Sequence, residues 1–213
     1  MSAVHVVVPD GIDDAARPSG GNSYDRRICH GLAAIGWSVH ERPVTGSWPR
    51  PDAAARATLT GVMAGIPDDA VVLIDGLIAS AAPEVLVPEA RRLRLVTLVH
   101  APLGNGPPGG EVAETRTRER LVLSAAVAVV TTSDWSRRWL LDRYALDPTQ
   151  VHVAEPGVDT AELSSGTAAG GELLCVAAVT PGKGHDVLTT ALAAVTDLPW
   201  RCAFVGTTML HPA

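Results

Sequence analysis

Aromatic side chains are scarce in this sequence: one Phe, two Tyr and five Trp make up 4% of its 213 residues. The apolar content, 46% overall, therefore rests on Ala, Val and Leu, a mixture suited to helices laid closely on a Val-rich parallel sheet. Wholesale disorder is excluded by the same figure. A basic excess is also missing. Lys and Arg number 17 against 23 Asp and Glu, leaving a net charge of −6, which argues against a broad nucleic-acid-binding surface. Local runs such as Arg91, Arg92 and Arg94, or Arg137 and Arg138, read as solvated helix faces. The three cysteines, Cys29, Cys175 and Cys202, have neither metal-ligand spacing nor the density of a disulfide framework, and read as reduced thiols in apolar surroundings. No run approaches membrane-spanning length, and the N-terminus lacks the basic start and apolar core of a signal peptide. The expectation is a cytoplasmic protein.

What is present is a rhythm of short apolar strands and amphipathic helices. Val4–Val8 is a β-branched run closed by Pro9-Asp10-Gly11, and a polar loop ending in Ser19-Gly20-Gly21-Asn22 follows. Tyr24, Ile28, Leu32 and Ile35 then share one helical face, with Gly36 as the stop and Trp37 and Val39 opening a second strand. Further strands are expected at 71–74, 95–99, 127–131 and 151–154. Helices are expected around 80–92, where Pro88 should interrupt the run, over 111–125, and from a Ser133 cap to about Tyr144. This alternation predicts an α/β, Rossmann-like parallel sheet with helices on both faces. After Asp159 the composition turns to small residues, AELSSGTAAGG, which reads as a linker. A second βαβ unit begins beyond it, with strands at 173–179 and 201–205 around a helix at 185–195. The domain reading is thus residues 1–160 as one Rossmann-like domain, 161–171 as linker, and 172–213 as the incomplete start of another.

Ligands of open α/β sheets sit at the carboxyl ends of the strands, which ranks the polar residues. Gly20 and Gly21 precede a helix N-terminus, where backbone N–H groups and the helix dipole attract phosphate; a simple flexible turn is the plainer reading. Their spacing is not the G-x-G-x-x-G of nicotinamide dinucleotide sites, and only Glu41 stands near where such a site needs its ribose-binding acid. His100 ends a strand, where an imidazole can donate a hydrogen bond or exchange a proton, or simply satisfy local backbone. The GNGPPGG segment after it has the composition of a loop that could close over a ligand. Asp75 either caps the next turn, the preferred reading, or binds an acceptor hydroxyl. Lys183 lies between two glycines in a strand-to-helix loop that is not a P-loop, and can neutralise a pyrophosphate leaving group.

The segments SGGNSYDRRICHGLAAIGWSVH, VTLVHAPL, AVVTTSDWSRRWL, VHVAEPGVD and CVAAVTPGKGHDVLTTAL, taken in order, resemble the family 4 glycosyltransferases, two-Rossmann-domain enzymes of GT-B fold. The resemblance covers nearly the whole chain. It implies transfer of a sugar from a nucleotide-sugar donor to a small-molecule, glycan or lipid-linked acceptor, with retention of configuration and no bound metal or other cofactor. It also implies Gly20, Gly21 and Lys183 on the donor diphosphate and His100 as the catalytic group near the transferred sugar; Asn22 and Asp75, by their place in the loops, are the acceptor-side candidates. Two departures stand out. Where the family usually has an arginine paired with the lysine, this chain has Ala177, Ala178 and Val179, and Gly182 precedes Lys183. The acidic region and nucleotide pocket expected further on have no counterpart in these 213 residues. The expectation is therefore a fragment without turnover on its own, whose alternative reading is a non-catalytic binding or partner-docking module. The incomplete second unit also raises the expectation of self-association.

Overall fold

The structure is a computed structural model, and it describes residues 2–14, 19–106 and 109–208. These fall into two compact units, one of residues 2–13 and 19–157, the other of Asp14 with residues 158–208.

The first unit is a six-stranded, wholly parallel sheet. Its strands are β1 (Ala3–Pro9), β2 (Ser38–Val44), β3 (Val71–Asp75), β4 (Arg94–Val99), β5 (Ala128–Thr131) and β6 (Val151–Val153), in the order β2-β1-β3-β4-β5-β6. The helices are α1 (Gly20–Ala34), α2 (Ala53–Ala64), α3 (Gly76–Ala81), α4 (Pro83–Glu89), α5 (Gly110–Ala125) and α6 (Asp134–Tyr144). The chain moves outward from β1 to β2, then reverses and steps through β3 to β6. With right-handed crossovers that reversal changes the face on which the connecting helices lie, and the packing follows. A small core joins Val4, Val6 and Val8 of β1 to Cys29 of α1. The larger core joins Val7, Val72, Ile74, Leu95, Val99 and Val129 to side chains of α2 to α6, among them Leu59, Ile78, Leu86, Leu123 and Leu140. The crevice between β1 and β3, where the direction reverses, is where an open α/β sheet binds its ligand.

Local signals account for most element ends. The Ser19, Asp52 and Ser133 side chains accept from Asn22, Ala55 and Ser136 N–H and start α1, α2 and α6. Gly36 takes left-handed backbone, φ 89°, just past α1. Helix α2 was not among the expected elements, although Asp52 and the 3.6-spaced Ala55, Leu59 and Met63 mark it. The single helix expected near 80–92 is two. The break falls at Ala82, immediately before Pro83, because proline pushes its predecessor out of helical backbone. Pro88 lies in the last turn of α4 and does not break it.

The second unit holds a parallel pair, β7 (Glu172–Val176) and β8 (Arg201–Val205), joined through a single 3₁₀ turn at Pro181–Lys183 and helix α7 (His185–Ala193). One helix cannot cover both faces of a sheet, and Leu174, Val176 and Phe204 are exposed. Among the described residues no helix is long and apolar enough to cross a membrane.

Leu59 of α2 is fully buried while Ile35 is 73% exposed. Leu59→Ala is expected to lower the free energy of unfolding by about 2–5 kcal/mol, and Ile35→Ala by less than about 0.5 kcal/mol. Urea denaturation followed by far-UV circular dichroism measures both; equal effects would contradict this assignment of the core.

Candidate active site

Three polar side chains from three elements meet at the reversal point. Asp25 comes from the second turn of α1, Asp75 ends β3 and His100 follows β4. His100 Nε2 lies 2.9 Å from Asp25 Oδ1 and 3.8 Å from Asp75 Oδ2. Both carboxylates are only 1% exposed, and the imidazole keeps 21% of its side-chain surface. The 2.9 Å contact is off the line of a well-formed hydrogen bond. Neither oxygen of Asp25, nor His100 Nε2, has an aligned partner among the described residues. Asp75 does have one: its Oδ1 accepts from Leu77 N–H at 2.5 Å and caps α3.

Burial governs the charges here. It raises the Asp75 carboxyl, and the neighbouring Asp25 carboxylate raises it further, to about 7; His100 and the Leu77 N–H offset part of the rise. For His100, burial works to lower the pKa, but the close Asp25 carboxylate and then Asp75 outweigh it, so the imidazole holds its proton above the usual value.

Neighbours fix the ring and its backbone while leaving part of the imidazole open. Gly21 lies against it: a Cβ at that position would sit 3.1 Å from His100 Cδ2, so glycine is what lets the start of α1 come this close. Tyr24 meets the ring edge-on at 5.4 Å between centroids, and its hydroxyl donates to the Ala154 carbonyl at 2.7 Å. The Thr132 hydroxyl donates to the His100 carbonyl at 2.8 Å. The Gly20 and Gly21 N–H groups belong to the first turn of a 15-residue helix, at its positive end.

The loop after His100 is pinned from below. Glu119 of α5, 1% exposed, accepts from Leu103 N–H at 2.9 Å, Gly104 N–H at 3.0 Å and the Tyr144 hydroxyl at 2.6 Å. Arg116 donates to the Gly104 carbonyl at 2.7 Å. At Gly104 a Cβ would stand 2.4 Å from the Tyr144 hydroxyl. Residues 107–108 of the expected GNGPPGG loop lie outside the described residues. Beside this loop a groove of about 740 Å³ is lined by Arg50, Arg56, Leu103, Glu111, Glu114 and Arg118 among others. Its charges are paired: Arg50 with Glu111 at 2.8 Å, Arg56 with Glu84 at 2.9 Å, and Arg118 with Glu84 at 3.4 Å.

Of the residues singled out in the sequence, Gly21, Asp75 and His100 are brought together, with Gly20 adjoining. Asn22 follows on the same first turn, partly exposed. Lys183 is exposed and belongs to the other unit. Glu41 is bound by Arg26, whose Nη1 contacts both carboxylate oxygens at 2.7 Å. Asp25 and Glu119 escaped the sequence reading, since an acidic residue inside a helix reads as solvent-facing until topology places it.

Residues 4–162 match the model of Glycosyltransferase Family 4. Over 112 residues the chain is 36% identical to a D-inositol 3-phosphate glycosyltransferase of Kineococcus radiotolerans, an alignment that spans 46% of this chain and 25% of that protein. Among solved structures it is similar to a glycosyltransferase from Rickettsia africae, with a TM-score of 0.59 and 16% identity, covering 99% of this chain and 62% of that one. The catalytic domain of starch synthase IV from Arabidopsis thaliana, solved with ADP and acarbose, gives a TM-score of 0.55 and 10% identity, with 99% and 69% covered. At these identities the structures attest the fold alone. The chain spans a quarter of its curated relative and under two thirds of the Rickettsia protein.

The raised pKa values set a pH dependence of stability. The contribution of Asp75 is full below about pH 4 and lost as pH rises through about 7. That of His100 is full below its ordinary value of 6.5 and lost above its raised one. Both run in the same direction. The wild type should therefore lose stability relative to Asp75→Asn between pH 5 and pH 8, as read by urea denaturation at each pH; a difference that is flat or of opposite sign would contradict the assignment.

Proposed function

The chain belongs to glycosyltransferase family 4, and on that premise we propose that it forms the acceptor-side domain, with part of the donor-side domain, of an enzyme that moves a sugar from a nucleoside-diphosphate donor to a hydroxyl acceptor with retention of configuration. The observation that carries this reading is the contact of Gly21 with His100 at the sheet's reversal point. It sets a helix N-terminus and an imidazole side by side, with one feature suited to a diphosphate and the other to a sugar.

The chemistry asks for both. Breaking the bond between sugar and diphosphate builds negative charge on the leaving group and positive charge on the sugar ring. In the proposed arrangement the Gly20 and Gly21 N–H groups receive the first; Lys183, within its own glycine-flanked turn, is proposed as a diphosphate-binding ammonium. The Asp25 and Asp75 carboxylates, acting behind His100, offset the second, while the exposed part of the imidazole orients the sugar by a hydrogen bond. Asp75 is buried, so its proposed influence on the acceptor passes through His100; Asn22, on the accessible first turn, can meet an acceptor hydroxyl directly. The 740 Å³ groove between α5 and the loops after β2 and β4 is the proposed acceptor seat, with paired arginines and glutamates offering hydrogen bonds to hydroxyls. Such an enzyme draws on no metal for this step and acts in the cytoplasm, where nucleotide sugars are made. A binding module without turnover is the second reading, favoured by Ala177–Val179 standing where an arginine is usual.

Saturation-transfer NMR of the purified chain with nucleoside-diphosphate sugars and with simple glycosides separates the readings. Donor contacts that Gly21→Val removes support the enzyme; contacts from neither ligand class favour the module. In transfer assays of the natural full-length protein, Lys183→Ala should lower kcat on the order of 10²-fold, and an unchanged rate would remove the lysine from the reaction.

A further inference from the structure

We propose that the groove beside the His100 loop selects an uncharged, polyhydroxylated acceptor, a neutral sugar or cyclitol, and discriminates against phosphorylated ones. The inference rests on the reading of this groove as the acceptor seat and names what sits there.

The groove lies wholly within the first unit, and its volume of about 740 Å³ is that of a small-molecule site. Arg50, Arg56 and Arg118 line it, and converging arginines ordinarily select phosphate. Here their charge is cancelled. Glu111 meets Arg50 at 2.8 Å, Glu84 meets Arg56 at 2.9 Å and Arg118 at 3.4 Å, and Glu114 meets Arg118 at 3.7 Å. Three arginines thus face three glutamates. The next charges along α5, Arg116 and Glu119, add one of each sign, and both are engaged with the backbone of the loop after His100. The Arg50–Glu111 pair is exposed and weak by itself; what counts is the balance of charge, which holds however loosely that pair closes. Such a groove has little net field to draw in an anion.

Hydrogen bonding points the same way. A hydroxyl both donates and accepts, whereas an ionised phosphate only accepts. Guanidinium and carboxylate each have more hydrogen-bonding positions than one contact uses. A hydroxyl set at an arginine–glutamate pair therefore accepts from the first and donates to the second, and the ion pair stays closed. A phosphate in the same place competes with the carboxylate for the guanidinium and lies against a like charge. Pro51, Leu103 and Val112 add an apolar wall, suited to the C–H face of a ring.

The test is saturation-transfer NMR of the purified chain, with methyl α-glucoside and myo-inositol as neutral probes and glucose 6-phosphate as the anionic one. At least one neutral probe should receive saturation that Arg118→Ala removes, with glucose 6-phosphate bound about tenfold more weakly. Glu84→Gln releases two arginines and leaves one positive charge in excess. It should move the preference about tenfold toward glucose 6-phosphate, an effect that added salt reduces. Glu111→Gln, at the exposed pair, repeats this arm should Glu84→Gln not fold. Tighter binding of glucose 6-phosphate than of either neutral probe by the wild type overturns the selectivity and leaves the groove as an acceptor seat. An unchanged preference in the folded glutamine variant does the same. Transfer to neither class, or transfer that survives Arg118→Ala, removes the acceptor from this groove, and the selectivity falls with it.

Discussion

Two carboxylates buried against one imidazole are the constraint around which the first unit is arranged. Asp25, Asp75 and His100 arrive from a helix, a strand end and a loop, and each is sited by the reversal of chain direction between β1 and β3. The arrangement sets α1 to begin hard against the His100 ring, where a Cβ at position 21 would crowd the imidazole at 3.1 Å. Burial then sets the protonation. Asp75 titrates near neutrality and His100 keeps its proton longer than a free histidine. The same packing that makes the cluster electrostatically expensive also places a helix N-terminus and an imidazole next to each other, which gives the candidate site its chemical use.

A second buried carboxylate has the opposite character. Glu119 is as inaccessible as Asp25, but its oxygens are met by two backbone N–H groups and a tyrosine hydroxyl. It is a satisfied anchor that fixes Leu103 and Gly104, and with them the near wall of the groove. Buried carboxylates in one domain thus divide into a complete network that holds a loop and an incomplete cluster that invites a proton or a substrate. Incompleteness, rather than burial, marks the functional candidate.

Much of the fold is written in the sequence because parallel strands buried on both faces become Val-rich runs such as Val4–Val8 and Val71–Ile74. The cap at Ser133 is equally plain, whereas α1 begins at Gly20, inside the segment read as a loop. Helix α2 was harder to see, since its alanine-rich composition blurs the apolar stripe that Leu59 and Met63 define. Position along a strand singled out His100 and Asp75, and the turn before α1 singled out Gly20 and Gly21. Asp25 and Glu119 could not be found that way. Each is one acid among the polar residues of its helix, and its burial comes from strands and loops far off in the chain. The cluster as a whole was invisible for the same reason: its members are spread over three elements, with no local spacing to announce them.

The direct measurement of the central claim, that the start of α1 and His100 together seat a sugar diphosphate, is a crystal structure of the protein with a nucleoside-diphosphate sugar. The account predicts diphosphate oxygens at hydrogen-bond distance, about 3 Å, from the Gly20 and Gly21 N–H groups, with the sugar against His100. A donor bound elsewhere, with the glycine turn and the imidazole untouched, would contradict it.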